Sequence, residues 1–142
     1  MTLHSGAGRV DFEELGADPG AASRDGPAIL FVPGSFSTPA AWRPVCRRLP
    51  QGRRLAATSL PGYGATEETR TFDDLDMAHE VRAVRAAARH MGARVVLVGH
   101  SFGGTVCLAA ALAGAVDLRG IATFEANPLA LMRAGGRQDL HD

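Results

Sequence analysis

Gly99-His100-Ser101-Phe102-Gly103 stands between the apolar run Val95-Val96-Leu97-Val98 and the small-residue run Gly104–Ala113. A serine set between a buried strand and a helix, with glycine two residues away on each side, is arranged as a nucleophile. The glycines are needed because the turn is tight, and side chains at those positions would collide with strand or helix. Such a turn aims the Ser101 hydroxyl at the open end of a sheet. It also turns the N–H of Phe102 toward the helix N-terminus, where developing negative charge is stabilised. The chemistry this suits is attack on an acyl carbon.

Attack also needs a second donor for the oxyanion and a base for the hydroxyl proton. Pro33-Gly34-Ser35-Phe36 follows the apolar run Ala28–Val32, where the N–H of such a donor belongs. Ser35 is the first choice and Phe36 the second; the same residues would also serve as a plain turn. A base is harder to find. His100 adjoins Ser101, but neighbouring side chains in a strand point apart. His79 and His90 fall on the expected solvent face of a helix, and His4 lies in an unpatterned end. His141 sits in a polar tail too loose to hold a base within hydrogen-bond reach.

The elements that would hold these groups alternate in type. Val10–Glu13 alternates like a short edge strand, whereas the rest of residues 1–27 is poorly patterned. Ala28–Val32 is a buried strand closed by Pro33-Gly34. Thr38 as N-cap with Pro39 at the first position opens a helix that ends near Leu49-Pro50. Leu55–Leu60 is a second buried strand, broken by Pro61-Gly62-Tyr63-Gly64. Thr71 starts a long helix, with Asp73, Asp74 and Asp76 in its first turns. Its apolar stripe is Phe72, Leu75, Ala78, Val81, Val84, Ala88 and Met91, and Gly92 stops it. Val95–Val98 is the third buried strand, Phe102–Ala113 the next helix and Leu118–Phe124 the fourth strand. A short helical piece at Leu129–Arg133 runs into a polar tail at 135–142. Alternating strands and helices of this kind predict a doubly wound, mostly parallel sheet in three αβα layers.

Composition narrows the function classes. The chain has 142 residues, 46% of them apolar, and a net charge of zero. Its length suits one domain, read as a single incomplete unit with its core at 28–134. Zero net charge provides no field to attract nucleic acid or an anionic membrane surface. All fifteen basic residues are Arg. Cys46 and Cys107 have no metal-like spacing and read as reduced packing residues. No cofactor or metal motif occurs. The N-terminus lacks the apolar segment of a secretory signal, and the run Phe102–Val116 is shorter than the roughly 20 residues a bilayer needs. A cytoplasmic protein is expected.

Three segments together carry a resemblance. These are Phe31-Val32-Pro33-Gly34-Ser35-Phe36 with Trp42 following, Leu60-Pro61-Gly62-Tyr63-Gly64, and Val96–Gly104 around Gly99-His100-Ser101-Phe102-Gly103. In this order and spacing they resemble the N-terminal half of an α/β-hydrolase-fold protein with a G-H-S-x-G elbow, over residues 28–131. The resemblance implies Ser101 as nucleophile and Ser35 and Phe102 as backbone oxyanion donors. It implies Glu125, at the end of the last strand, as a position where some members keep their acid. Pro33 replaces a common His of the family, and Ser59 a common Asp. The family's order is Ser, acid, His, and its His lies well beyond Asp142. The family's seventh and eighth strands and final helix have no counterpart here.

The resemblance implies hydrolysis of a small apolar ester or thioester, with Phe36, Trp42 and Leu129 as possible walls of an acyl site. Trp42 reads equally as core packing. A non-catalytic remnant that binds a small ligand or partner is the alternative from a different class. Acyl transfer or a cofactor-free peroxidase-type reaction would keep the fold and change the chemistry. An unfinished sheet would also leave Leu118–Phe124 as an open edge available for association.

Overall fold

Strands form where apolar runs can be buried on both faces, and helices form where one apolar stripe can cover a sheet. The computed structural model describes residues 1–6, 8–16, 28–50, 52–92 and 94–127. Its strands are β1 (Thr2–Ser5), β2 (Gly8–Glu14), β3 (Ala28–Val32), β4 (Leu55–Thr58), β5 (Val95–His100) and β6 (Leu118–Phe124). They make one sheet in the order β1-β2-β4-β3-β5-β6. The four strands β4, β3, β5 and β6 run parallel. The hairpin β1–β2 joins them antiparallel along β4. The expected mostly parallel sheet is therefore present, at the positions the apolar runs mark.

Helices cover both faces. A 3-10 turn at Pro39–Trp42 leads into α1 (Arg43–Cys46), which lies on one face. The helices α2 (Ala78–Met91) and α3 (Phe102–Leu112) share the other. The larger core gathers Val10, Phe12, Leu30, Val32 and Leu97 with Val84, Met91 and Val106 from α2 and α3. The smaller core joins Phe31, Leu55 and Ala57 to Trp42 and Cys46 under α1. Small side chains on α3 (Gly103, Gly104, Cys107, Ala110) let its backbone approach the sheet, as the composition of that run requires. No helix among the described residues is long and apolar enough to cross a membrane.

Several expected boundaries move. Residues 2–14 hold more strand than their weak pattern suggests, and the rest of the expected loop before Ala28 lies largely outside the described residues. β2 spans Gly8–Glu14 and is an inner strand, because β1 covers its outer side; Val10 and Phe12 point together into the core. Thr38 is extended but makes no side-chain cap, and the helix after it ends at Cys46 rather than near Leu49. The second strand stops at Thr58, two residues short of Leu60.

The largest correction concerns the helix expected from Thr71. Residues 71–74 instead close a tight turn, with Thr71 and Asp74 exchanging backbone hydrogen bonds of 3.1 Å. Phe72 and Leu75 project into solvent, and α2 begins at Ala78. The aspartates explain the delay. Asp74 and Asp76 accept from the N–H groups of Asp76 and Ala78, so they hold successive local turns ahead of the helix instead of lying within it. At its other end α2 stops as expected, on Gly92 in the left-handed conformation (φ 60°).

Of the two histidines of α2, His90 keeps the expected solvent face and His79 departs from it. His90 is exposed, but its ring sits edge-on to Phe12 at 4.8 Å. His79 is buried. Its Nε2 lies 3.0 Å from Asp74 Oδ2, and its Nδ1 lies 2.8 Å from both Thr69 Oγ1 and Arg82 Nη2. The hydrogen bond from His79 holds the Asp74 carboxyl below its usual range.

His79 is one anchor of the segment 61–77, and Arg70 is another. Arg70 bonds Glu68 and the carbonyl of Pro61, and its Nη1 lies 2.8 Å from Oε1 of Glu80, a residue only 2% exposed. Replacing Arg70 by Met leaves the Glu80 carboxylate buried without its counter-charge. The expected cost is about 3 kcal/mol, largely recovered in the double variant Arg70→Met/Glu80→Met. Urea denaturation of the two variants measures both values. Glu68 gives a pH signature. Its hydrogen bond from Arg70 pulls the carboxyl from 4.5 down to about 2. The folded pKa is depressed, so this contribution is complete above pH 4.5 and declines as pH falls toward 2. The acid limb of stability against pH is expected to be shallower in Glu68→Gln than in the parent chain.

Candidate functional site

The turn between β5 and α3 is shaped by what cannot fit around it. A Cβ added at Gly99 would stand 2.6 Å from the carbonyl oxygen of Gly103 and from Cα of Gly104. One at Gly103 would run into the carbonyls of Val32 and Pro33, and one at Gly104 would meet Ala126 Cβ at 2.9 Å. The three glycines thus let the end of β3, the end of β5 and the start of α3 meet at backbone distance. Ser101 takes up the strain of this junction, with φ 52° and ψ −127°, a region a residue with a side chain rarely enters. Its N–H donates to the carbonyl of Phe124 at 2.8 Å, and its own carbonyl accepts from Gly104 N–H at 2.9 Å. Strand β6 and helix α3 therefore hold the strained residue from both sides.

The loop after β3 closes on this residue. Gly34 lies so near that a Cβ there would be 3.1 Å from Ser101 Cβ. Ser35 and Phe36 follow at the surface. Phe36 is itself left-handed (φ 59°), and its exposed ring stands edge-on to Tyr63 at 5.7 Å. Phe102 is the first residue of α3, and its N–H has no partner within the helix. The fold thus brings Ser101, the 34–36 loop and the Phe102 N–H to one end of the sheet. Tyr63 is the group that motif reasoning missed there; its signal was the Pro61-Gly62-Tyr63-Gly64 break.

Glu125 comes to the same end, but to a different neighbour. It is left-handed (φ 52°), and its carboxylate accepts from or pairs with His100 Nε2 at 3.2 Å. Both side chains are well exposed. The Ser101 hydroxyl makes no hydrogen bond to any imidazole among the described residues. His79 is committed to the 61–77 segment, and His141 and Leu129 lie outside the described residues. The thiols are poor rivals as nucleophiles. Burial raises both, Cys107 to about 12.

Ser59 is buried and donates to Asp11 Oδ2 of β2 at 2.9 Å. Thr66 completes the junction, accepting from Asp11 N–H and donating to the carbonyl of Ser59. The loop that carries Tyr63 is thereby fixed to the sheet.

On the α1 side of the sheet an apolar groove of about 600 Å³ runs from the 33–37 loop past Trp42, Val98 and Phe31 to Ala122 and Phe124. Trp42 is buried against Phe31, ring centroids 4.8 Å apart, as core packing predicts, and it also lines this groove, whereas Phe36 does not.

Two substitutions test the junction. Gly99→Ala must push two backbones apart and is expected to cost about 2 kcal/mol or more. Ser101→Gly removes the side chain from a glycine-type conformation and is expected to raise stability by about 1 kcal/mol. Thermal or urea unfolding reads both, and opposite signs are the distinguishing result.

Comparison with known proteins agrees with this architecture. The sequence profile of the alpha/beta hydrolase family matches residues 29–140. No curated protein sequence matches the chain significantly. Among solved structures, an alpha/beta hydrolase from Sphaerobacter thermophilus superposes with a TM-score of 0.73 at 24% identity, covering 96% of this chain and 55% of that one. An epoxide hydrolase from Vigna radiata gives 0.68 at 25% identity, with 87% and 38% covered. A thermophilic esterase from Thermogutta terrifontis gives 0.70 at 21% identity, with 89% and 45% covered. The chain therefore spans about half or less of the length of the solved structures it resembles. The parallel strands, the strained turn between β5 and α3 and the profile match lead to one conclusion: the chain belongs to the alpha/beta hydrolase family.

Proposed function

We propose that Ser101 is the nucleophile of an acyl-ester hydrolase, with the N–H groups of Ser35 and Phe102 as its oxyanion donors. The observation that carries this is the backbone of Ser101. A non-glycine residue held at φ 52° by surrounding backbone needs a reason, and presenting a hydroxyl at the open end of a sheet is one. In the proposed reaction Ser101 Oγ adds to the ester carbonyl carbon, and its proton passes through solvent water to the oxygen of the departing alcohol. The oxyanion accepts hydrogen bonds from the two N–H groups, and the alcohol leaves with a proton. Water then cleaves the acyl-serine. The apolar groove beside the 33–37 loop suits the acyl part of a small apolar substrate.

Similar structures include both an esterase and an epoxide hydrolase. The residue type at the turn separates the two reactions. A serine oxygen that opens an epoxide forms an ether, which has no carbonyl for water to attack, so turnover would stop. A serine that attacks an ester forms a new ester, which water can cleave. Ser101 therefore favours the ester.

No base is assigned among the described residues. His100 pairs with Glu125, which is the only support for Glu125 as an orienting acid. Oxyanion hole and binding alone leave roughly 10³–10⁴-fold over the uncatalysed rate. The second reading, a non-catalytic protein that binds a small apolar ligand, has the groove in its favour.

A fluorophosphonate probe distinguishes the two. The expected result is one label per folded chain, located on Ser101 by peptide mass analysis and lost in Ser101→Ala. A folded chain that stays unlabelled, yet takes up an apolar fluorophore, would point to the binding protein instead.

A further inference from the structure

Ser101 sits on a ridge between the two faces of the sheet. Its neighbour His100 lines the apolar groove on the α1 side, and its other neighbour Phe102 packs against the larger core. The loop after β3 crosses the same ridge. Gly34 and Ser37 line the groove, whereas Phe36 reaches Tyr63, which packs against the larger core. A group bound at Ser101 therefore meets the groove on one side and the Phe36–Tyr63 pair on the other. Tyr63 is held closely in place. Its N–H donates to the carbonyl of Leu60 and its carbonyl accepts from Thr66 N–H, both at 3.0 Å. Thr66 is in turn bonded to Asp11 and Ser59. Phe36 belongs to neither core, yet it is kept left-handed (φ 59°) beside Ser101, whose φ is also positive. Strain of this kind marks a residue whose side chain is placed for use.

We propose that Phe36 and Tyr63 receive the alcohol arm of the ester, and that the alcohol they favour carries an aromatic ring. The inference rests on the reading of Ser101 as nucleophile with the acyl arm in the groove. The two arms of an ester diverge from its carbonyl carbon, so an acyl arm in the groove directs the alcohol arm across the ridge. There the rings of Phe36 and Tyr63 stand 5.7 Å apart at 75°, an edge-to-face pair. Such a pair presents both a ring face and a ring edge, and a third ring can pack on either at similar spacing. A saturated ring of the same size gains the burial without the quadrupole contact. The groove and the pair thus divide the substrate. Apolar bulk is read on the acyl side, and aromatic character on the alcohol side.

Benzyl butyrate and cyclohexylmethyl butyrate test this, because they share the acyl arm and their alcohols are similar in size and leaving ability. Single-turnover acylation of Ser101, followed by mass analysis of the intact chain, is expected to be roughly fivefold faster with the benzyl ester. The ratio is expected to fall to about one in Phe36→Leu, which keeps an apolar side chain and removes the ring. Equal rates in the parent chain overturn the proposal, as does a benzyl preference that persists in folded Phe36→Leu. Binding of the same esters to Ser101→Ala separates the proposal from the reading it rests on. Tyr63 is the chain's one tyrosine and Trp42 its one tryptophan, so their ring resonances report the pair and the groove separately. The benzyl ester is expected to shift both, and the cyclohexylmethyl ester chiefly Trp42. A benzyl ester that leaves Tyr63 unmoved overturns the aromatic wall whether or not Ser101 is acylated. Shifts at both rings without any acyl-serine in the parent chain would support the wall and remove the nucleophile reading alone.

Discussion

The close approach of three backbones at Gly99, Gly103 and Gly104 is the constraint on which the rest depends. It lets β3, β5 and α3 converge at one point, and the chain passes that point only through the strained conformation of Ser101. A conformation costing about 1–3 kcal/mol persists only when its surroundings over-determine it. Here the surroundings are specific: β6 through the carbonyl of Phe124, α3 through its first N–H groups, and the 34–36 loop through contact with Ser101 Cβ. The sheet order follows the same logic. β3 and β5 must be neighbours for Gly34 to reach Ser101, and β6 must flank β5 for Phe124 to hold its N–H.

The two faces of the sheet are unequally covered. α2 and α3 together seal one face with the larger core, whereas the short α1 leaves an apolar groove beside β5 and β6. The open groove and the Ser101 end of the sheet lie on the same half of the molecule. The opposite half is closed by polar fastenings: Asp11 to Ser59 and Thr66, and Arg70 to Glu80 beneath the 61–77 segment.

What could be read from the chain alone was what local rules decide. Ala28–Val32 and Leu118–Phe124 appear at the expected residues, because apolar runs bounded by breakers have few other uses. The β5–α3 turn was legible because its glycines and serine leave little freedom. What failed was decided by distant partners. Phe72 and Leu75 fit a helical stripe in spacing, yet the side chains of Asp74 and Asp76 satisfy the local N–H groups and delay the helix to Ala78. His79 looked solvent-facing until Thr69, Asp74 and Arg82 were folded around it. The hairpin β1–β2 has only alternation to announce it, and its inner position depends on pairing with β4, over forty residues away. The pairing of His100 with Glu125 is likewise a product of neighbouring strands, invisible in spacing.

The central claim is that the strained turn makes Ser101 an acyl acceptor. Its most direct measurement is an active-site titration with a p-nitrophenyl ester, comparing the parent chain with Ser101→Ala. The account predicts release of one equivalent of p-nitrophenolate per parent chain, followed by slow turnover, and no such phase in the variant. Release that is absent from the folded parent chain, or that continues undiminished in Ser101→Ala, would contradict it.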